Sequence, residues 1–196
     1  MKPRLLVACE RSGVVRDAFL DIGWDAVSCD LEPSVVGGPH YQGDVRDLLG
    51  EPWDLMIGHP PCTHLSNARN AWVRFLDPAK RTDAMAFVNL LWNAPIPRIC
   101  LENQVGYLST HWRKPDQYVQ PFQFGHTVTK NTCLWLKNLP KIIRTTYIHL
   151  EQETKVDNIG GKNRAFRKAV TYKGIALAMA ATWGRLHDKD YSSPAQ

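Results

Sequence analysis

The first thirty residues decide what kind of sheet this chain can build. Arg4-Leu5-Leu6-Val7-Ala8-Cys9 is an unbroken apolar run of strand length, as expected of a strand buried on both faces. Glu10-Arg11-Ser12-Gly13 reads as a tight turn. Val14, Val15, Ala18, Phe19 and Ile22 then recur near a 3.6-residue period, which predicts a helix from Val14 to Ile22 that Gly23 stops. Trp24 to Cys29 is a second strand, ending in Asp30. Strand, helix and strand within roughly 30 residues open a parallel sheet, because parallel neighbours need a crossover of this kind. The expected fold class is therefore α/β, a doubly wound and mostly parallel sheet.

The rest of the chain continues the pattern. Leu55-Met56-Ile57 is a short apolar strand with Gly58 at its exit. Ala79 to Trp92 reads as a helix, with Ala84, Phe87, Val88 and Leu91 on one face and Pro95 and Pro97 beyond it. Arg98 to Asn103 is the next strand. Tyr107 to Gln123 reads as irregular, and Lys130 to Pro140 as a strand and turn. Thr171 to Gly184 reads as a helix rich in small residues that packs tightly on the sheet. A chain of 196 residues can bury a full core as one domain, expected here over residues 1–186, with a frayed polar tail over 187–196. No apolar run approaches the roughly 20 residues of a membrane span, and the start has no secretory cleavage pattern. A cytoplasmic protein is expected.

Chemistry concentrates at Gly58-His59-Pro60-Pro61-Cys62. Two prolines stiffen the backbone immediately before a thiol, just past the carboxyl end of a buried strand. Ligands of open α/β sheets bind at such strand ends, so Cys62 is either a nucleophile or an inert cysteine in a rigid turn. The five cysteines, Cys9, Cys29, Cys62, Cys100 and Cys133, form no Cys-x-x-Cys pair, so neither a structural zinc site nor a disulfide framework is expected. Gly13 in the first turn and Asp30 at the end of the second strand suit a nucleoside, whose ribose hydroxyls an acid can accept; a generic βαβ unit carries the same features. The net charge of +5 and pI near 9.0 are compatible with a nucleic-acid partner.

Pro-Pro-Cys62 after one strand and Glu102-Asn103 after the next, one helix apart, resemble the two chemical landmarks of the DNA cytosine-C5 methyltransferase family. The resemblance covers the sheet from Leu5 to about Leu139 and the last helix. It implies a Rossmann-like, S-adenosylmethionine-dependent methyltransferase fold, with Cys62, Glu102 and Asn103 as catalytic residues. It further implies cofactor contacts from Cys9, Glu10, Ser12 and Gly13 in the first turn, from Asp30 and Leu31, from Asp44, from Pro60, and from Gly174 in the last helix. The first turn carries less glycine than the family's. The base-contacting strand lacks the expected Gln and Arg, and Lys130 takes the nearest position, as a DNA contact or a plain strand-edge lysine. Arg69, Arg164 and Arg167 are further DNA-binding candidates, or solvated surface. Where the family inserts a large recognition domain, this chain has only a short segment around 140–168, which resembles compact phage-borne members.

The implied reaction begins with the Cys62 thiolate adding to cytosine C6, which makes C5 enamine-like. Glu102, its pKa raised by burial, would protonate or hydrogen-bond N3, and Asn103 would hold the loops in register. C5 then takes the methyl group of S-adenosylmethionine. The thiolate must reach the ring face, so the DNA cytosine must be flipped out or single-stranded. With so small a recognition segment, low or short-site specificity is expected, or a homodimer or partner protein that supplies it. Two alternatives stand beside this. One is a catalytically idle DNA- or nucleotide-binding relative. The other is transfer of a carboxylate-bearing group from an S-adenosylmethionine analogue, with Arg11 as the carboxylate's partner.

Overall fold

The computed structural model describes residues 1–65, 78–147, 154–155 and 170–186. Its centre is a seven-stranded sheet. In chain order the strands are β1 (Arg4–Ala8), β2 (Asp25–Asp30), β3 (His40–Gln42), β4 (Leu55–Gly58), β5 (Ile99–Gln104), β6 (Gln117–Val119) and β8 (Thr132–Lys137). They lie side by side in the order β3-β2-β1-β4-β5-β8-β6. The first five are parallel, and β8 runs antiparallel between β5 and β6. A separate short parallel pair joins β7 (Val128–Thr129) to β9 (Thr154–Lys155). The order of the strands reverses at β1 and β4, which open their carboxyl ends as a crevice.

Helices α1 (Val14–Leu20), α2 (Pro78–Trp92), α3 (Tyr107–His111) and α4 (Lys173–Trp183) cover both faces. Alternation along the strands sorts the side chains. Leu5, Val7, Leu55, Ile57 and Cys100 pack with Phe19 of α1 and Ile175, Met179 and Trp183 of α4. Leu6, Ala8, Met56, Ile99 and Leu101 face the other way, against Val88 and Leu91 of α2 and Leu108 of α3. Each fully buried Leu or Phe stabilises the fold by about 1.5–3 kcal/mol.

The strands expected at 4–9, 24–29, 55–57 and 98–103 and the long helices match within one or two residues, and the strand expected within 130–140 is β8, whereas β3, β7 and β9 were not expected. Helix α1 ends at Leu20, so Ile22 lies beyond it and is half exposed. The stretch 107–123, expected to be irregular, contains α3 and β6. These elements are too short to show a period. Their register comes from β8, to which β6 pairs with Val119 opposite Thr132. Gly174 opens α4 where the helix presses on the 121–124 turn, and a Cβ there would lie 1.9 Å from the Phe124 carbonyl oxygen. Only glycine permits that approach.

Candidate active site

Strand register brings the two chemical landmarks together. Gly58 of β4 is paired with Leu101 of β5, so the next residues, His59 and Glu102, emerge side by side. Glu102 lies just past the last pair with β4, still paired to Leu134 of β8, and is buried, as is Asn103. The Asn103 Nδ2 amide donates to the Pro60 carbonyl oxygen at 2.8 Å, tying the end of β5 to the Pro-Pro loop. The loop then turns at Cys62–His64, a single 3-10 turn, which leaves Cys62 exposed.

An open cleft lies over these strand ends. Cys62, Glu102, Asn103 and Lys130 all line it, together with His59 and Cys9. The nucleophile and the acid proposed from sequence therefore face one cavity. Lys130, expected as a contact to DNA or an edge lysine, stands on the cavity wall, and its charge acts on Glu102.

The protonation state of Glu102 departs from expectation. Burial raises its pKa, as expected. The hydrogen bond from His59 Nδ1 at 2.9 Å, together with the Lys130 and His59 charges, outweighs burial and leaves the carboxyl below its ordinary value. Sequence reasoning counted desolvation alone, because His59 had no assigned role and the distance of Lys130 was unknown. The His59 signal was present: it immediately precedes the Pro-Pro pair at a strand end. Only the parallel register reveals its partner.

A second cleft adjoins the first, and Cys9 and Pro61 line both. Its other walls include Asp30, Leu31, Asp44, Arg46 and Phe87. Cys9 follows β1 with φ of 60°, in the left-handed region. Burial, then the nearby Asp30 charge, pushes its thiol up to about 12. Asp44 caps the next turn: its Oδ1 accepts from the Arg46 amide and its Oδ2 pairs with the Arg46 guanidinium. The amide bond first, then the guanidinium, hold the Asp44 carboxyl below its ordinary value. Asp30 Oδ1 accepts from the Glu32 amide at 3.0 Å. Two carboxylates beside an apolar wall that includes an aromatic ring suit a nucleoside with ribose hydroxyls.

Other residues singled out from sequence lie elsewhere. Glu10 is buried and caps α1, accepting from the Val15 and Arg16 amides and from Ser12 Oγ. Gly13 takes φ of 74°, and a Cβ there would collide with the Arg16 guanidinium. Gly174 donates its amide to His126 Nε2 and packs on the 121–124 turn. None of these four lines either cleft. Arg11 pairs with Glu32 at 3.3 Å, so a carboxylate of the protein itself already faces it. Cys29, Cys100 and Cys133 are buried. Arg69, Arg164 and Arg167, most of the 140–168 segment and the 187–196 tail lie outside the described residues. Among the described residues there is no metal-binding cluster, and no helix is long and apolar enough to cross a membrane.

Sequence reasoning also missed Arg16. It is fully buried, and its guanidinium binds Ser28 Oγ and the Gly37 and Pro39 carbonyl oxygens besides the Asp17 carboxylate. It holds the loop between β2 and β3, at the edge of the second cleft. An arginine on a seven-residue helix gave no signal of burial.

No protein-family model matches the chain, and no curated protein sequence matches it. Solved structures do. A candidate DNA modification methyltransferase encoded within an E. coli prophage superposes with TM-score 0.50 at 15% identity, over 69% of this chain and 46% of that one. Dnmt2 methyltransferase of S. pombe gives TM-score 0.48 at 19% identity, over 82% of this chain and 57% of that one. The Entamoeba histolytica methyltransferase EhMeth gives 0.44 at 14%, over 81% and 59%. The chain thus spans about half the length of each of these three structures. The first superposition and the strand order establish the fold: a Rossmann-like, mostly parallel α/β sheet shared with that structure.

Proposed function

We propose that this protein transfers a methyl group from S-adenosylmethionine to C5 of a cytosine in DNA, through a covalent bond to Cys62. The observation that carries the reading is the shared cleft: an exposed thiol and a buried carboxylate face the same space, beside a second cleft that suits a nucleoside. Asp30 and Asp44 would accept the ribose hydroxyls and the adenine amino edge of the cofactor, and Leu31 and Phe87 would cover its apolar faces. Bound there, S-adenosylmethionine supplies an electrophilic methyl group.

The chain's own residues do the rest. Cys62 Sγ bonds to C6, and the C5–C6 π pair shifts toward C4 and N3. Glu102 meets the N3 edge, where charge accumulates. Asn103 keeps the thiol loop and the carboxyl in fixed relation, which matters because small displacements cost large rate factors. Once C5 carries its new substituent, a water takes the C5 proton, the C–H electron pair re-forms the C5–C6 double bond, and Cys62 leaves as thiolate. The thiolate must approach the face of the ring, so the substrate is a flipped or unpaired cytosine.

The test is transfer of labelled methyl from S-adenosylmethionine to DNA, followed by nucleoside analysis. Label in 5-methyldeoxycytidine, absent with Cys62→Ala, supports the reading. Label in another nucleoside, or transfer that survives Cys62→Ala, overturns it.

A further inference from the structure

The imidazole beside Glu102 has no part in the scheme above, and its surroundings point to one. His59 and Glu102 side chains are each only 9% exposed, and their hydrogen bond is 2.9 Å long. Nε2 of His59 is buried and has no hydrogen-bond partner among the described residues. A buried ring nitrogen without a partner costs about 1–3 kcal/mol, so a histidine serving only to pack is a poor choice at this position. His59 also lines the cleft that holds Cys62.

The chemistry has a matching gap. Addition of a thiolate to C6 leaves N3 in need of a proton, yet Glu102 is held ionised by its neighbours. We propose that His59 is the positioning residue that supplies this proton through Glu102, so that the two side chains act as one proton-holding pair in the base cleft. The inference rests on the cytosine-C5 reading. Before addition the pair is imidazolium and carboxylate. As the Cys62–C6 bond forms, one proton passes from His59 through the Glu102 carboxyl to N3, leaving neutral imidazole and carboxylate. When Cys62 leaves and the ring regains its double bond, N3 returns the proton to the pair. No oxidant or further reactant is needed.

The groups that face the pair allow this. Lys130 lines the same cleft, and its charge lowers the Glu102 pKa. Behind Glu102, burial and then the Glu102 charge push the Cys133 thiol up to about 12 and the Cys100 thiol well above its ordinary value. Burial does the same to Cys9, on the cleft's far side. None of these three thiols exchanges protons near neutrality.

The experiment measures tritium release from C5 of labelled cytosine in DNA, with S-adenosylmethionine, across about pH 5.5 to 9. Wild type should give a rate that falls on the alkaline side as the pair loses its proton. His59→Asn keeps an amide donor near Nδ1 but has no titratable proton. It should retain the folded circular dichroism spectrum, lose about 100-fold in rate and lose the alkaline limb. A wild-type rate with a wild-type profile in His59→Asn overturns the proposal, as does a slow variant that keeps the alkaline limb. If the variant fails to fold, the wild-type profile stands alone, and absence of its alkaline limb overturns the proposal. No release by wild type at all overturns the cytosine-C5 reading itself, a distinct outcome.

Discussion

Replacing Asn103 by alanine separates what holds the site from what reacts in it. Its Nδ2 donates to the buried Pro60 carbonyl at 2.8 Å, and its Oδ1 accepts from the Gln104 amide at 3.0 Å. Asn103→Ala leaves the Pro60 oxygen desolvated and unpaired, at about 1–3 kcal/mol. The Gln104 amide is only partly buried, so water offsets most of its loss, and about 0.5 kcal/mol is expected there. The sum is about 1.5–3.5 kcal/mol, read as a lower urea midpoint at unchanged slope. At about 2–4 °C per kcal/mol for a chain of this size, Tm falls by about 3–14 °C. The Pro-Pro loop also loses its tie to β5, and labelled-methyl transfer should drop about 100-fold in the folded variant. A variant within about 0.5 kcal/mol of wild type, or destabilised but fully active, would refute the claim that this bond sets the geometry of Cys62 against Glu102.

Other outcomes follow from the same structure. Gly174→Ala places a Cβ 1.9 Å from the Phe124 carbonyl oxygen, so a loss of about 1–3 kcal/mol or more is expected in urea denaturation, and an unchanged midpoint contradicts the close packing. Glu102 is depressed below 4.5 in the folded protein, so the stability its ionised form contributes is present above the unfolded value and disappears as pH falls through the folded one. The stability gap between wild type and Glu102→Gln should therefore shrink in denaturation series taken from about pH 6 down to about pH 3; a gap that stays constant or widens contradicts the assignment. Asp30→Ala removes a carboxylate from the second cleft and should weaken S-adenosylmethionine binding about 10-fold or more by calorimetry, whereas an unchanged Kd would move the cofactor elsewhere.

The sheet was legible because its strands are buried on both faces and read as continuous apolar runs, interrupted by one amphipathic helix or a glycine. Cys62 and Glu102-Asn103 were legible because each closes such a run. Residues whose roles depend on a neighbour distant in sequence were harder. Glu10 sits in the turn where a cofactor contact was expected, yet its carboxylate caps α1, a role set by where the helix begins. Arg16 and His59 gave no periodic signal, since a buried polar side chain is explained only by partners that the fold supplies: loop carbonyls for one, Glu102 for the other. The same limit explains the Glu102 pKa, where a sequence predicts burial but not the charges around it.

The central claim is that the Cys62 sulfur forms a bond to a cytosine ring. Incubating the protein with S-adenosylmethionine and DNA containing 5-fluorocytosine tests it directly, because fluorine at C5 blocks the final elimination. The account predicts a stable protein–DNA adduct by intact mass, mapped to the Cys62 peptide and absent in Cys62→Ala. Turnover on ordinary cytosine with no adduct on the fluorinated base, or an adduct on a different residue, would contradict it.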